Sequence, residues 1–310
     1  MKEKNAEIVL ILGNGFDLDL GLKSSYNSFA KSKEFNRLLE DGLHTFFFKG
    51  GHENESLLYH FQRVNANSNW FDLEEEIYRF IEHHQEVNDC RLELIEREFE
   101  NIKAALCNYL NRMVKEVRIR ETSFAKVLFT YLISLNKSVS IYSFNYTDCF
   151  CLCGCTQNEH THLWNIHGKL DENIVLGYDN YKNLNFQRKY EFLDKSLMLE
   201  ASGFNLDSTL RNAKEVIFFG HSINDMDFSY FDDYFKYVSS IDKKNQTLTF
   251  VCLDNESEFT IKSKIKNKGY DWRTIKGHLN NVDFIHTYLW NEGNTAEYHK
   301  LHNRIGQKDN

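Results

Sequence analysis

Not one of the 310 residues is proline. At the ordinary frequency of about 5% a chain of this size would hold on the order of fifteen. The surplus of Phe, Tyr, Asn, Lys and Ile that accompanies the gap is what an AT-rich genome encodes, so the absence reads as codon bias. Its consequence is physical all the same: no loop has its φ fixed by a pyrrolidine ring. Long apolar runs are also missing. None approaches the roughly 18 residues that a spanning helix needs, and the first run, Ile8 to Leu12, is too short for the core of a secretory signal. The seven cysteines are an odd number, which argues against a secreted disulfide scaffold. The expected compartment is therefore the cytoplasm, with no membrane partner. Excess positive charge is lacking too. The formal net charge is −8 and the isoelectric point about 5.9, so the surface as a whole is not built for nucleic acid. One segment runs the other way, with Lys262, Lys264, Lys266, Lys268, Arg273 and Lys276 against Asp271. It is read as a solvated surface, with a local basic patch as the alternative.

What is present fits a globular protein. Hydrophobic residues make up 42% of the chain and charged residues 26%, enough for one large core or two smaller ones. Residues 7–12 read as a buried strand. Ser24 or Ser25 is placed to cap a helix through Phe29. A less regular, glycine-containing stretch is expected from Asp41 to Asn54. From about Trp70 to Leu135 the apolar residues keep three- and four-residue spacing, as at Ile77, Phe80 and Ile81 and again at Ile95, Phe99 and Ile102, which predicts a helical subdomain. Trp70 reads as its anchor, with Asp72 and Glu74 in an acidic first turn. Strand-like runs return at Val139–Phe144, Leu163–Ile166, Ile174–Leu176, Val216–Phe219, Leu248–Cys252 and Val282–Ile285. The order predicts an α/β protein with a Rossmann-type open parallel sheet. It forms a single domain over 1–310, with a helical insertion over approximately 35–135.

Ligands of open α/β sheets bind beyond the carboxyl ends of the strands. Polar, turn-forming residues follow five of the runs: Gly13-Asn14-Gly15-Phe16-Asp17, Asn145-Tyr146-Thr147-Asp148, His167-Gly168, Gly177-Tyr178-Asp179 and Gly220-His221-Ser222. They are read either as one cleft or as ordinary strand-end turns, which favour the same residue types. The first run leads to a third glycine, Gly21, six residues after Gly15, where a Rossmann fingerprint would place it three after.

Together, "GNGFDLDLGLKSSYNSF" (13–29), "WFDLEEE" (70–76), "SFNYTD" (143–148), "IHG" (166–168), "LGYD" (176–179) and "GHSINDMDFSYF" (220–231) resemble the AbiH family of bacterial abortive-infection proteins. That family is in turn similar to sirtuin-like NAD-binding proteins. The resemblance implies a sirtuin-like fold and an antiphage effector, whose phage trigger and oligomeric state the sequence does not specify. A homo-oligomer is compatible with it. Gly13 to Leu22 fit the sirtuin loop form GAGxSxxxGI without a gap. The loop, with Asn14, Phe16 and Gly21, is then expected to bind the nucleotide. Gly13 and Gly15 would let backbone N–H groups approach a pyrophosphate, so Gly15→Val should abolish binding and spare folding. Asp17 is expected on ribose hydroxyls or backbone N–H groups, and Asp19 at solvent. Asn145 matches the asparagine that contacts the nicotinamide ribose or a water, its amide donating and accepting at once. His167 matches the general base. Gly220, His221 and Ser222 match an adenosine-side turn, and Asp227 is read as holding a ribose hydroxyl, as orienting His221, or as part of a helix start.

Three departures bear on the activity. Lys23 stands where the family usually has proline, and both the Pro-x-Phe-Arg segment and the zinc ribbon of sirtuin deacetylases are absent. A protein deacetylase is therefore disfavoured. The run Cys149 to Cys155 has cysteines at every second position, which is not the spacing of structural zinc sites, and no metal is expected. The resulting expectation is an effector that hydrolyses NAD+, its substrate and nucleotide partner, to nicotinamide and ADP-ribose through Asn145 and His167. The alternatives are a module that senses a nucleotide or ADP-ribose without hydrolysis, and a toxin acting on RNA through the Lys262–Lys276 segment.

Overall fold

The computed structural model describes residues 6–48, 56–67, 72–84, 88–178, 188–195 and 206–307. The chain forms two compact units. One comprises Met1–Leu22, Arg118–Lys169 and Gly203–Asn310, and the other Lys23–Val117 and Leu170–Ser202.

The first unit is built on six parallel strands in the order β3-β2-β1-β4-β5-β6. They are β1 (Ile8–Leu12), β2 (Val139–Ser143), β3 (Thr161–Asn165), β4 (Glu215–Phe219), β5 (Lys243–Cys252) and β6 (Leu279–His286). Their composition explains their place. β1 is Ile-Val-Leu-Ile-Leu, buried at all five positions, because a central parallel strand is covered on both faces and needs no polar alternation. Val9, Ile11, Val216, Phe218, Leu248 and Phe250 join one continuous core, covered by Phe231 and Phe235 of the helix Ser229–Ser240 and by Ile261 and Ile265 of the helix Asn255–Asn267.

Five of the expected later strands are present, four of them longer than the apolar run that announced them. Ile174–Leu176 is not a strand. It lies in the second unit, where the nearby pairing is an isolated bridge between Tyr178 and Asp194. Three apolar residues set among Asp171, Glu172, Asn173 and Gly177 are too few to hold a ladder.

The second unit is helical: α2 (Tyr26–Ala30), α3 (Lys33–Phe48), α4 (Leu57–Asn67), α5 (Leu73–His83) and α6 (Asp89–Glu116). Ser25 caps α2, its hydroxyl accepting from Ser28 N at 3.2 Å. Over residues 41–48 the irregular stretch expected from Asp41 to Asn54 is instead the end of α3, which continues through Gly42 to Phe48, and residues 49–54 lie outside the described residues. Burial of Phe35 and Leu39 on one stripe offsets the glycine's low helix propensity. Asp72 caps α5 by accepting from Glu74 N and Glu75 N. Trp70 and Asp179 lie outside the described residues. Two buried acids brace this unit. Glu98 of α6 accepts from Ser56 Oγ at 2.8 Å and from Leu57 N at 2.7 Å, which satisfies the N-terminus of α4. Glu74 pairs with Lys195 Nζ at 2.7 Å, each side chain at most 5% exposed. Among the described residues no helix is long and apolar enough to cross a membrane.

Candidate functional site

Everything brought together here belongs to the first unit and lies just past the carboxyl ends of β1, β2, β3 and β4. β1 runs straight into α1 (Asn14–Leu20). Gly13 N donates to Phe219 O and Gly15 N to Gly220 O, both at 2.9 Å, so the turn is sewn to the end of β4. The packing leaves no room for side chains. A Cβ on Gly15 would lie 2.5 Å from Gly220 Cα, and one on Gly13 would lie 2.5 Å from His221 Cα. Gly21 ends α1 at φ 105, the left-handed conformation that closes a helix at low cost only in glycine. The spacing of the third glycine is thus the length of a seven-residue helix. The expected role of the Gly13 and Gly15 N–H groups is corrected: they are spent on carbonyls of the protein, and the glycines are explained by backbone meeting backbone. Phe16, expected at the ligand, is core, with its ring 5.3 Å from Phe219 and 5.7 Å from Phe129. Asn14 and Ser222 are exposed on the rim, with Gly15 and Gly220 half-buried beside them.

Asp17 is 2% exposed. Its two oxygens accept from Asn145 Nδ2 at 2.8 Å and Thr147 Oγ1 at 2.7 Å, partners from the loop after β2 in place of the expected ribose hydroxyls. Burial pushes its carboxyl up to about 7, with both hydrogen bonds pulling the other way. Asp19 was expected at solvent. It is 8% exposed and accepts from Ala125 N at 2.7 Å, near the start of α7 (Phe124–Ser134), and burial again raises its pKa. The amphipathic turn of α1 puts Asp19 on the inner face, where α7 supplies an unsatisfied helix-end donor. Asn145 Nδ2 also donates to Gly13 O at 3.1 Å. Both amide hydrogens are therefore used, and the side chain has only its acceptor, Oδ1, to offer a ligand, where the sequence suggested both functions.

The second cluster is histidine and aspartate. His167 follows β3, His221 follows β4, and Asp227 lies just before the helix Ser229–Ser240. Asp227 Oδ1 is 3.2 Å from His167 Nε2, charge-pairing distance without the alignment of a straight hydrogen bond, and Asp227 Oδ2 is 3.8 Å from His221 Nε2. The three are 4–5% exposed. Phe144 stands edge-on to both imidazoles, at 5.2 Å from His167 and 4.6 Å from His221. His221 Nδ1 accepts from Ile223 N at 3.0 Å, and Ile223 has φ 48. A β-branched residue in that region is strained, and such strain is held at sites that need a fixed geometry.

Sequence reasoning located every member of this pair of clusters but not the pairings. Asp227, read from the sequence as holding a ribose hydroxyl, as orienting His221 or as part of a helix start, lies nearer His167 than His221. Thr147 is named there only among the turn-forming residues of its run, with no role of its own, and Asp148 proves to be the cap of the helix Cys149–Cys153, accepting from Phe150 N and Cys151 N. That helix turns Cys149 and Cys153 inward, where burial raises both thiols, and leaves Cys151 exposed. The basic segment is partly neutralised, since Lys262 pairs with Glu258 and Lys268 with Asp225.

What this arrangement can do is bounded by its chemistry. It offers an imidazole backed by a carboxylate for proton transfer and an amide oxygen to receive a hydroxyl or water proton. Residues 9–252 match the family model for bacteriophage abortive infection AbiH. No curated protein and no solved structure matches the chain.

Proposed function

Because the chain belongs to the AbiH family of bacteriophage abortive infection proteins, we propose that it is the effector of such a response and that its reaction is hydrolysis of NAD+. In that reaction water attacks C1′ of the nicotinamide ribose. The bond to the pyridinium nitrogen breaks with its electron pair going to nicotinamide, and the proton lost by water passes to His167. The products are nicotinamide, ADP-ribose and a proton. His167, with Nε2 towards Asp227, takes the proton on its other ring nitrogen while the carboxylate balances the charge. Asn145 Oδ1 receives a hydrogen from the attacking water or from a ribose hydroxyl.

The observation that carries this reading is the His167–Asp227 pair at 3.2 Å, with His167 following β3 and Asn145 following its neighbour β2 at the carboxyl ends of a parallel sheet. The resemblance to sirtuin-like NAD-binding proteins supplies the substrate, and Asn14 and Ser222 are exposed polar residues just after β1 and β4. The burial of the pair fits an effector that is inert until a phage component opens the site.

Release of nicotinamide from NAD+ by the purified protein, and loss of NAD+ from infected cells that express it, test the proposal. His167→Ala should lower turnover by about 10²–10⁴-fold, the size of a general-base contribution, with little change in nucleotide affinity. Binding of ADP-ribose without turnover in both settings would favour a sensing module instead. RNA cleavage with NAD+ untouched would favour a nuclease.

A further inference from the structure

The turn that carries His167 begins at Asn165, the last residue of β3. Gly168 N donates to Asn165 O at 3.3 Å, which closes a tight turn over residues 165–168, with Ile166 in the core and Gly168 at φ 76. Asparagine is common at the first position of such a turn, because its side-chain oxygen ordinarily accepts from the backbone two residues on. That explanation does not hold here. Asn165 Oδ1 is buried, and among the described residues no donor meets it. Its register partner on β2 is Ser143, whose hydroxyl is already engaged by Asn145, accepting from Asn145 N at 3.3 Å and donating to Asn145 O at 3.4 Å. A buried acceptor without a donor lowers stability, few exist in a folded protein, and each calls for a reason.

Position supplies the reason. Asn165 stands at the carboxyl end of β3, two residues before His167, and β3 pairs with β2, whose following loop holds Asn145. Ligands of open parallel sheets gather at these strand ends. An amide oxygen only accepts, so the ligand group that meets it carries an O–H or N–H. In the hydrolytic reading Asn145 and His167 serve the ribose next to nicotinamide, and the hydroxyls of that sugar are the donors at hand. We infer that Asn165 is a binding residue for this ribose, its Oδ1 accepting from a sugar hydroxyl. The unliganded protein then carries an unsatisfied acceptor that binding satisfies. The identity of the sugar rests on the hydrolytic reading, whereas the unsatisfied acceptor does not.

Two measurements on the full chain test this together: denaturant titration, and calorimetry with ADP-ribose and with ADP, which lacks the second ribose. Asn165→Leu keeps the shape of the side chain and removes its polar atoms, and the smaller Asn165→Ala guards against a misfit of the leucine. At least one variant should be as stable as wild type or more so, because what it loses is an acceptor that the unliganded protein leaves unmet. The same variant should bind ADP-ribose about tenfold more weakly, the size of one hydrogen bond, and ADP as wild type does. A loss of stability in both variants would make Asn165 a structural residue and overturn the inference. So would unchanged affinity for ADP-ribose, or equal weakening for both nucleotides. Binding of ADP-ribose that depends on Asn165 in a protein that leaves NAD+ intact would retire hydrolysis and leave the inference standing. Wild type that binds neither nucleotide would overturn both.

Discussion

A carboxyl group shut away from water holds its proton longer, and Asp17 is such a group. Its pKa is raised from 3.8 to about 7 by burial. The folded state then binds more protons than the unfolded one between those values, so stability falls as pH rises through the window. The full span corresponds to at most on the order of 4 kcal/mol. Comparing wild type with Asp17→Asn cancels the other titrating groups. Thermal unfolding should show wild type losing ground to the variant steadily from about pH 4 to about pH 7, and a constant gap would contradict the account. At the same scale stands Gly15. Its missing side chain is required by the Gly220 backbone 2.5 Å from where a Cβ would sit, so Gly15→Ala should cost upward of about 3 kcal/mol in denaturant titration. This differs from the expectation that a larger residue here would harm binding alone. The sequence shows that glycine is present, but whether a phosphate or another strand-end demands it depends on what lies opposite, and Gly220 is some two hundred positions away.

Elements were legible where burial decides them. β1, β2 and β4 are short runs rich in β-branched and aromatic residues because both of their faces are covered, and that composition has few other uses. α1 was not legible, since Gly15 and two acids interrupt its pattern, and only Phe16 and Leu20, one turn apart, hint at its inner face. The pairing of Glu74 with Lys195 was equally hidden, because nothing local to either residue announces a partner so distant in sequence. That pair has a measurable signature. Glu74→Gln should cost about 3–5 kcal/mol, since it removes the carboxylate charge that the buried Lys195 ammonium pairs with at 2.7 Å, whereas Glu74→Leu combined with Lys195→Met should cost much less. Chemical unfolding of the two variants side by side checks this, and equal losses would mean that packing, not charge, is what the pair supplies.

For the molecule as a whole, the sheet and the set of strand-end residues could be read from the chain, and the wiring between them could not. Asn145 reaches Asp17 across 128 positions, and His167 meets an aspartate from beyond a different strand. Such contacts depend on strand order, which β3-β2-β1-β4 sets and local composition does not encode. At this scale the proposal predicts a cellular outcome. Cells carrying the wild-type gene should lose NAD+ after phage challenge and release few progeny, whereas cells carrying His167→Ala should keep their NAD+ and yield phage, with equal protein levels confirmed by immunoblot. Protection that survives the substitution would place the activity elsewhere in the chain.

The position of β1 in the middle of the sheet also governs when the protein comes into being on the ribosome. The first strand to be made has neighbours that begin at Val139 and Glu215. At about 5–20 residues per second, roughly ten to forty seconds separate the synthesis of β1 from that of its second neighbour. The clusters need Asp17, Asn145, His167, His221 and Asp227 together, so no truncated or stalled nascent chain that stops short of residue 227 can assemble them. On the proposed reading, unfinished copies therefore lack the activity.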